Sequence, residues 1–185
     1  MRYFLAILLL SGFAQAQPLG RSRITLSGGW MRQVYSNTYS QESAPVVGVS
    51  YGYRALKFLE LDAGLHVALQ PGQELCSRFG CYDPNDRYFW IMVGARLVAP
   101  LVAGRVELSL GGGGLVQQYS VSNRDSPFGV SSQGAFGGYF TAGAAAPLDR
   151  RHHFWIGVTP RVLLANPEFG RDRWFTITGD VSYRF

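Results

Sequence analysis

The stretch LELDAGLHVALQ, residues 59–70, alternates in character over twelve positions without a parity error. Leu59, Leu61, Ala63, Leu65, Val67 and Leu69 share one parity; Glu60, Asp62, Gly64, His66, Ala68 and Gln70 share the other. Successive side chains of an extended chain point to opposite sides, so this pattern predicts one strand with an apolar and a polar face.

Seven further segments read the same way, near Ile24–Val34, Val46–Ala55, Tyr88–Val98, from Arg105 onward, Ala135–Ala146, Phe154–Leu164 and Trp174–Phe185. The last sets Phe175, Ile177, Val181, Tyr183 and Phe185 against Thr176, Thr178, Asp180, Ser182 and Arg184. Two features disturb the pattern. Pro160 cannot donate to a ladder and predicts a bulge, and Gly111–Gly114 predicts a break or a close backbone approach in the fifth strand. The joins alternate in length: short near 56–57, 99–104 and 147–153, longer and polar over 35–44, 71–87, 120–133 and 166–173. Short turns at one end and long loops at the other predict an all-β, eight-stranded antiparallel up-and-down transmembrane β-barrel of meander topology.

The start of the chain, MRYFLAILLLSGFAQAQ, combines Arg2, an apolar run from Phe4 to Leu10 and the small-x-small site Ala14-Gln15-Ala16. It reads as a signal peptide over residues 1–16, leaving 17–185 as the barrel domain. Removing it leaves 16 basic against 12 acidic residues, scattered along the chain without forming a patch, which argues against nucleic-acid binding.

Parity alone does not separate a membrane barrel from a soluble, lipocalin-like one, in which the apolar face turns inward. Aromatics favour the membrane reading. Tyr53, Phe58, Phe154, Tyr183 and Phe185 fall near the short-turn end of the apolar face, and Trp30, Phe89 and Phe175 near the long-loop end. Such pairs of girdles bracket a bilayer. The polar parity is rich in Gly, Ser and Thr, and Lys57 is the one lysine of the chain. The Tyr183-x-Phe185 end resembles the terminal signal that barrel assembly machinery reads, although Gly179 stands one position before the glycine of that pattern. With strand count and loop alternation, the sequence resembles the OmpA/OmpX-type family of eight-stranded outer-membrane barrels. The resemblance implies the outer membrane of a diderm bacterium, with outer-membrane lipid and the assembly machinery as partners.

The polar parity carries Arg54, Glu60, Asp62, Arg96, Arg105, Glu107, Arg161, Asp180 and Arg184, a lumen charge network that either plugs the barrel or rings a small pore. Cys76 and Cys81, an even pair in an exported chain, predict a disulfide in the longest loop. Arg78, Arg87, Arg124, Arg171 and Arg173 fall in the long loops, where they would meet lipopolysaccharide phosphates. Of three histidines, His152 and His153 fall in a short turn, and His66 on the inward parity has no serine close in sequence to activate. The leading reading is therefore a non-enzymatic surface barrel with a structural, adhesion or recognition role and no cofactor or metal. A small channel and a lipid-modifying enzyme are the alternatives.

Overall fold

The computed structural model describes residues 22–35, 43–70, 75–77, 80–82, 84–123, 131–165 and 173–185. The strands are β1 (Ser22–Tyr35), β2 (Ser43–Leu56), β3 (Leu59–Gln70), β4 (Leu75–Ser77), β5 (Gly80–Tyr82), β6 (Pro84–Leu101), β7 (Val106–Asn123), β8 (Ser131–Pro147), β9 (Phe154–Ala165) and β10 (Arg173–Arg184). Eight of them close into an antiparallel barrel in the order β1-β10-β9-β8-β7-β6-β3-β2, while β4 and β5 form a small hairpin in the longest loop. The ladder closes where Ser22 and Phe185 exchange backbone hydrogen bonds of 3.1 and 3.0 Å. The predicted signal peptide lies outside the described residues, as does most of each long loop.

Register fixes the geometry of the tube. The ladder that leaves β1 at Arg23 runs through Gly52, Asp62, Gly94, Gly113, Tyr139, Leu163 and Trp174, and returns to β1 at Gln33. The circuit thus climbs ten residues. At about 3.3 Å per residue and about 4.8 Å between strands, the strands tilt by roughly 40°.

The apolar parity faces outward. Leu26, Val47 and Val93 are 62%, 60% and 60% exposed, and similar residues project from every barrel strand. A continuous belt of that kind far exceeds what a water-solvated monomer shows, and only lipid suits it. That outcome decides against the lipocalin-like arrangement. Trp30, Tyr53, Phe58, Phe154, Phe175, Tyr183 and Phe185 are all exposed and Phe89 half-exposed on this wall. By register the upper and lower sets stand roughly 20 Å apart, near the height of a barrel's apolar band. The lower girdle is a cluster in contact: Tyr183 lies 5.0 Å from Phe154, 6.1 Å from Phe185 and 6.0 Å from His153, centroid to centroid.

Three local expectations change. Arg105 does not face the lumen: it sits exposed in a turn behind the 3-10 segment Val102–Gly104, and alternation begins only at Val106. Val102 and Gly104 take positive φ there, at 49° and 82°, which ends the strand geometry that parity assumes. Pro160 causes no bulge. It pairs in register with Ile177 of β10, and toward β8 two rungs drop out between Thr141↔Arg161 and Ala144↔Val158 with no shift. Gly111–Gly114 do not interrupt β7, which pairs continuously with β6 and β8 through all four glycines. The close backbone approach is real: a Cβ on Gly111 would fall 2.4 Å from the Ala95 carbonyl oxygen. In the last short turn, His152 holds a φ of 59°, and the Asp149 carboxylate accepts the Phe154 N–H at 2.8 Å.

Inward glycines make room for large neighbours. Tyr139 crosses the lumen from β8 over Gly94 of β6, its hydroxyl 3.3 Å from Asp62 Oδ1 on β3. A Cβ on Gly94 would stand 2.5 Å from that hydroxyl, whereas one on Gly28 would meet nothing within 4 Å. Gly94→Ala is expected to cost about 1–3 kcal/mol by overpacking, and Gly28→Ala within about 0.5 kcal/mol. Urea unfolding in detergent checks both; equal effects would show that the space at Gly94 is not closed by the Gly112 backbone and Tyr139 as described.

Candidate functional site

Each strand of the barrel offers its inward parity to the same narrow tube, so the lumen is where chemistry-bearing side chains converge. At the short-turn end two buried glutamates, from strands on either side of β6, organise four arginines. Glu60 of β3 holds Arg23 of β1, Arg96 of β6 at 3.0 Å from its Nε and Arg54 of β2 at 3.6 Å. The Arg96 Nε contact has ion-pair distance without hydrogen-bond alignment. Glu107 of β7 takes a fork from Arg184 of β10, at 2.6 and 3.0 Å, and also accepts Arg54 at 3.0 Å. Arg23 reaches Glu107 at 3.8 Å, so Arg23 and Arg54 each bridge both glutamates. Arg96 also approaches Asp62, at 3.6 Å. Arg184 lies 3.8 Å over the ring of the buried Trp155 of β9. One connected set thereby links seven of the eight barrel strands.

Higher up, hydroxyls replace carboxylates. Arg161 donates to Thr178 at 2.9 Å, Thr178 donates to Asp180 at 3.0 Å, and Thr159 donates to the same carboxylate. Thr25 and Ser182 share a hydrogen bond of 2.9 Å across the β1–β10 seam. His66, 4% exposed, lies over Gly48 on the neighbouring strand, deep in the tube.

Toward the long-loop end the lumen turns apolar. Trp90 and Trp174 are fully buried and meet edge-on at 6.3 Å, with Tyr88 against both at centroid distances of 5.8 and 4.8 Å. Met31, Val46, Met92, Leu115 and Leu163 complete this plug. Trp90 donates to Gln117 at 2.8 Å, while the Trp174 N–H has no partner among the described residues. Filling of this kind is what an eight-stranded interior allows.

Of the nine charged residues expected inside, eight face the lumen and Arg105 does not. Arg23 was not anticipated, although it precedes Ile24 and extending that strand by one residue would have placed it inward. The aromatic plug was also missed: Trp90 and Trp174 hold the inward parity, next to the girdle residues Phe89 and Phe175. Cys76 and Cys81 stand opposite each other in the β4–β5 ladder, and their side chains lie outside the described residues. Among the described residues, no cluster of His, Cys, Asp or Glu is arranged to hold a metal.

No protein-family model matches the chain, and neither does any curated protein sequence. Solved structures do. Neisserial surface protein A aligns with a TM-score of 0.69 at 13% identity, over 91% of this chain and all of that one. Ail, the attachment invasion locus protein of Yersinia pestis, solved with the heparin analogue sucrose octasulfate, aligns at 0.60 and 16%, covering 89% and 99%. The N-terminal barrel of Pseudomonas aeruginosa OprF aligns at 0.54 and 16%, covering 90% and 99%. The fold is that of small eight-stranded outer-membrane barrels.

Glu107→Gln strands buried arginines and is expected to destabilise by about 3–5 kcal/mol. Arg105→Gln, in an exposed turn, should change stability by less than about 0.5 kcal/mol. Paired urea titrations separate the two, and an Arg105 effect as large as the Glu107 effect would return Arg105 to the network.

Proposed function

We propose that this chain is an integral, non-conducting and non-enzymatic protein of the outer membrane of a diderm bacterium. Its barrel is a rigid stand for four long loops that carry structural, adhesion or recognition contacts at the cell surface. The observation that carries this reading is the lumen, filled by an ion network at one end and by a cluster of Tyr88, Trp90 and Trp174 at the other. Rigid strands supporting variable loops are a common way to present a binding surface. Of the alternatives, a channel would need a continuous polar path past Trp90, Trp174 and Tyr88, which pack together in the described lumen. A lipid-modifying centre at the outer rim built on histidine would need one there, whereas His66 is buried in the tube and His152 and His153 lie in the short β8–β9 turn.

One neighbour in fold, Ail, was solved with a sulfated heparin analogue. In this chain, residues 36–42, 71–87, 124–130 and 166–173 carry five arginines against seven carboxylates. A loop set of that balance favours local bridges from Arg78, Arg87, Arg124, Arg171 and Arg173 to individual lipopolysaccharide phosphates over capture of a long polyanion. Outer-membrane lipid is the partner this reading commits to, with the assembly machinery engaged during insertion.

In planar bilayers the protein should give no discrete conductance steps. Reproducible single-channel steps that vanish with the protein would replace this reading with the channel. Changing these five arginines, three in the long loops and two (Arg87 and Arg173) at the adjoining strand ends, together to Gln should weaken co-migration with lipopolysaccharide and leave heat-modifiable gel migration intact. Unchanged lipid association would remove the phosphate contact.

A further inference from the structure

The lower half of the lumen contains a cavity of about 20 Å³ between Glu107 and the Arg161–Asp180 level. That volume accommodates about one water-sized occupant. Its charged lining is Arg23, Arg96 and Arg161 against Glu107 and Asp180. The imbalance extends to the whole inward set: Arg23, Arg54, Arg96, Arg161 and Arg184 face Glu60, Asp62, Glu107 and Asp180. One positive charge is left without a carboxylate in a low-dielectric tube, an arrangement that is costly unless something offsets it.

The donors tell the same story. The Arg23 side chain is 9% exposed, and its Nε has no hydrogen-bond partner. The carboxylates of the lining already have partners of their own: Glu107 accepts Arg184 and Arg54, and Asp180 accepts Thr159 and Thr178. The rest of the wall supplies hydroxyls, among them Ser50, which rotate to donate. A pocket with surplus donors, surplus positive charge and room for one small occupant selects an acceptor that is itself charged.

We propose that this cavity binds a single small monovalent anion of the chloride class, with Arg23 and Arg161 as its principal charged partners and the lumen hydroxyls completing the shell. A surplus of one positive charge matches a monovalent anion better than sulfate. The site is independent of the loops and of the role assigned to them above. It makes a halide part of the folded barrel.

The test uses the whole barrel in detergent at fixed pH and matched ionic strength. Chloride and bromide should stabilise it against urea relative to gluconate. A ligand that binds only the folded state lowers the unfolding equilibrium constant about tenfold at a concentration ten times its dissociation constant. Ser50→Asp adds a carboxylate to the cavity wall and should remove the difference between halide and gluconate. In crystals grown with bromide, an anomalous peak should lie within the cavity beside Arg23. Identical unfolding in chloride and gluconate, or an equal halide effect in wild type and Ser50→Asp, would overturn the site. If the variant fails to fold, the diffraction decides alone: density without a bromide signal marks a water site, and the proposal falls.

Discussion

Closure of eight strands with a climb of ten residues is the constraint on which the rest of this molecule depends. It sets the bore, which is narrow enough for side chains from opposite walls to touch, as Arg23 and Glu107 do. It also sets height, because each residue rises roughly 2.5 Å along the axis at the resulting tilt. Residues far apart in sequence become one layer: Glu107 and Arg184 meet through a bidentate pair. Tyr139 reaches Asp62 from a strand three positions around the wall. Where a large side chain leans over its neighbour, the neighbour is glycine, as Gly94 is under Tyr139 and Gly48 under His66.

The two walls solve opposite problems. Outside, apolar side chains stay in contact with lipid, so they gain little by packing together and are free to serve as girdle or belt. Inside, every arginine and carboxylate has left water and needs partners. Replacing such an interior with apolar residues of similar volume is often neutral or stabilising in soluble proteins. In a membrane barrel it would also erase the difference between the faces. A strand apolar on both sides has weak register, because a one-residue slip exchanges its faces at little cost. Charges at Arg23, Arg54, Glu60, Arg96, Glu107 and Arg184 make that slip prohibitive on six strands at once.

Much of this was legible in residues 59–70, because parity is a local property and survives whatever the strand pairs with. All eight barrel strands, the outward aromatics and eight of the nine inward charges follow from it. What parity lacks is height and pairing. Trp90 and Trp174 could be placed inward from sequence, but their stacking around Tyr88 follows from the climb of the ladder. Arg105 was misplaced because parity was carried across a turn in which Val102 and Gly104 leave extended geometry. Pro160 was expected to deform the sheet because a closed barrel has no edge; instead two rungs to β8 are omitted while both registers hold.

Polarity inside the tube is also sorted along the axis, and that sorting bears on function. Ions gather at the short-turn end, hydroxyls follow, and indoles close the end that carries the long loops. The buried aromatic layer of Tyr88, Trp90 and Trp174 lies between the long-loop end and the charge network below. Loop variation above that layer leaves the ion network untouched, and a change in the network reaches the loops only through the strands themselves. The barrel therefore permits the loops to diversify at one end while stability is held at the other. This separation needs no opening through the lumen, and the filled interior is what provides it.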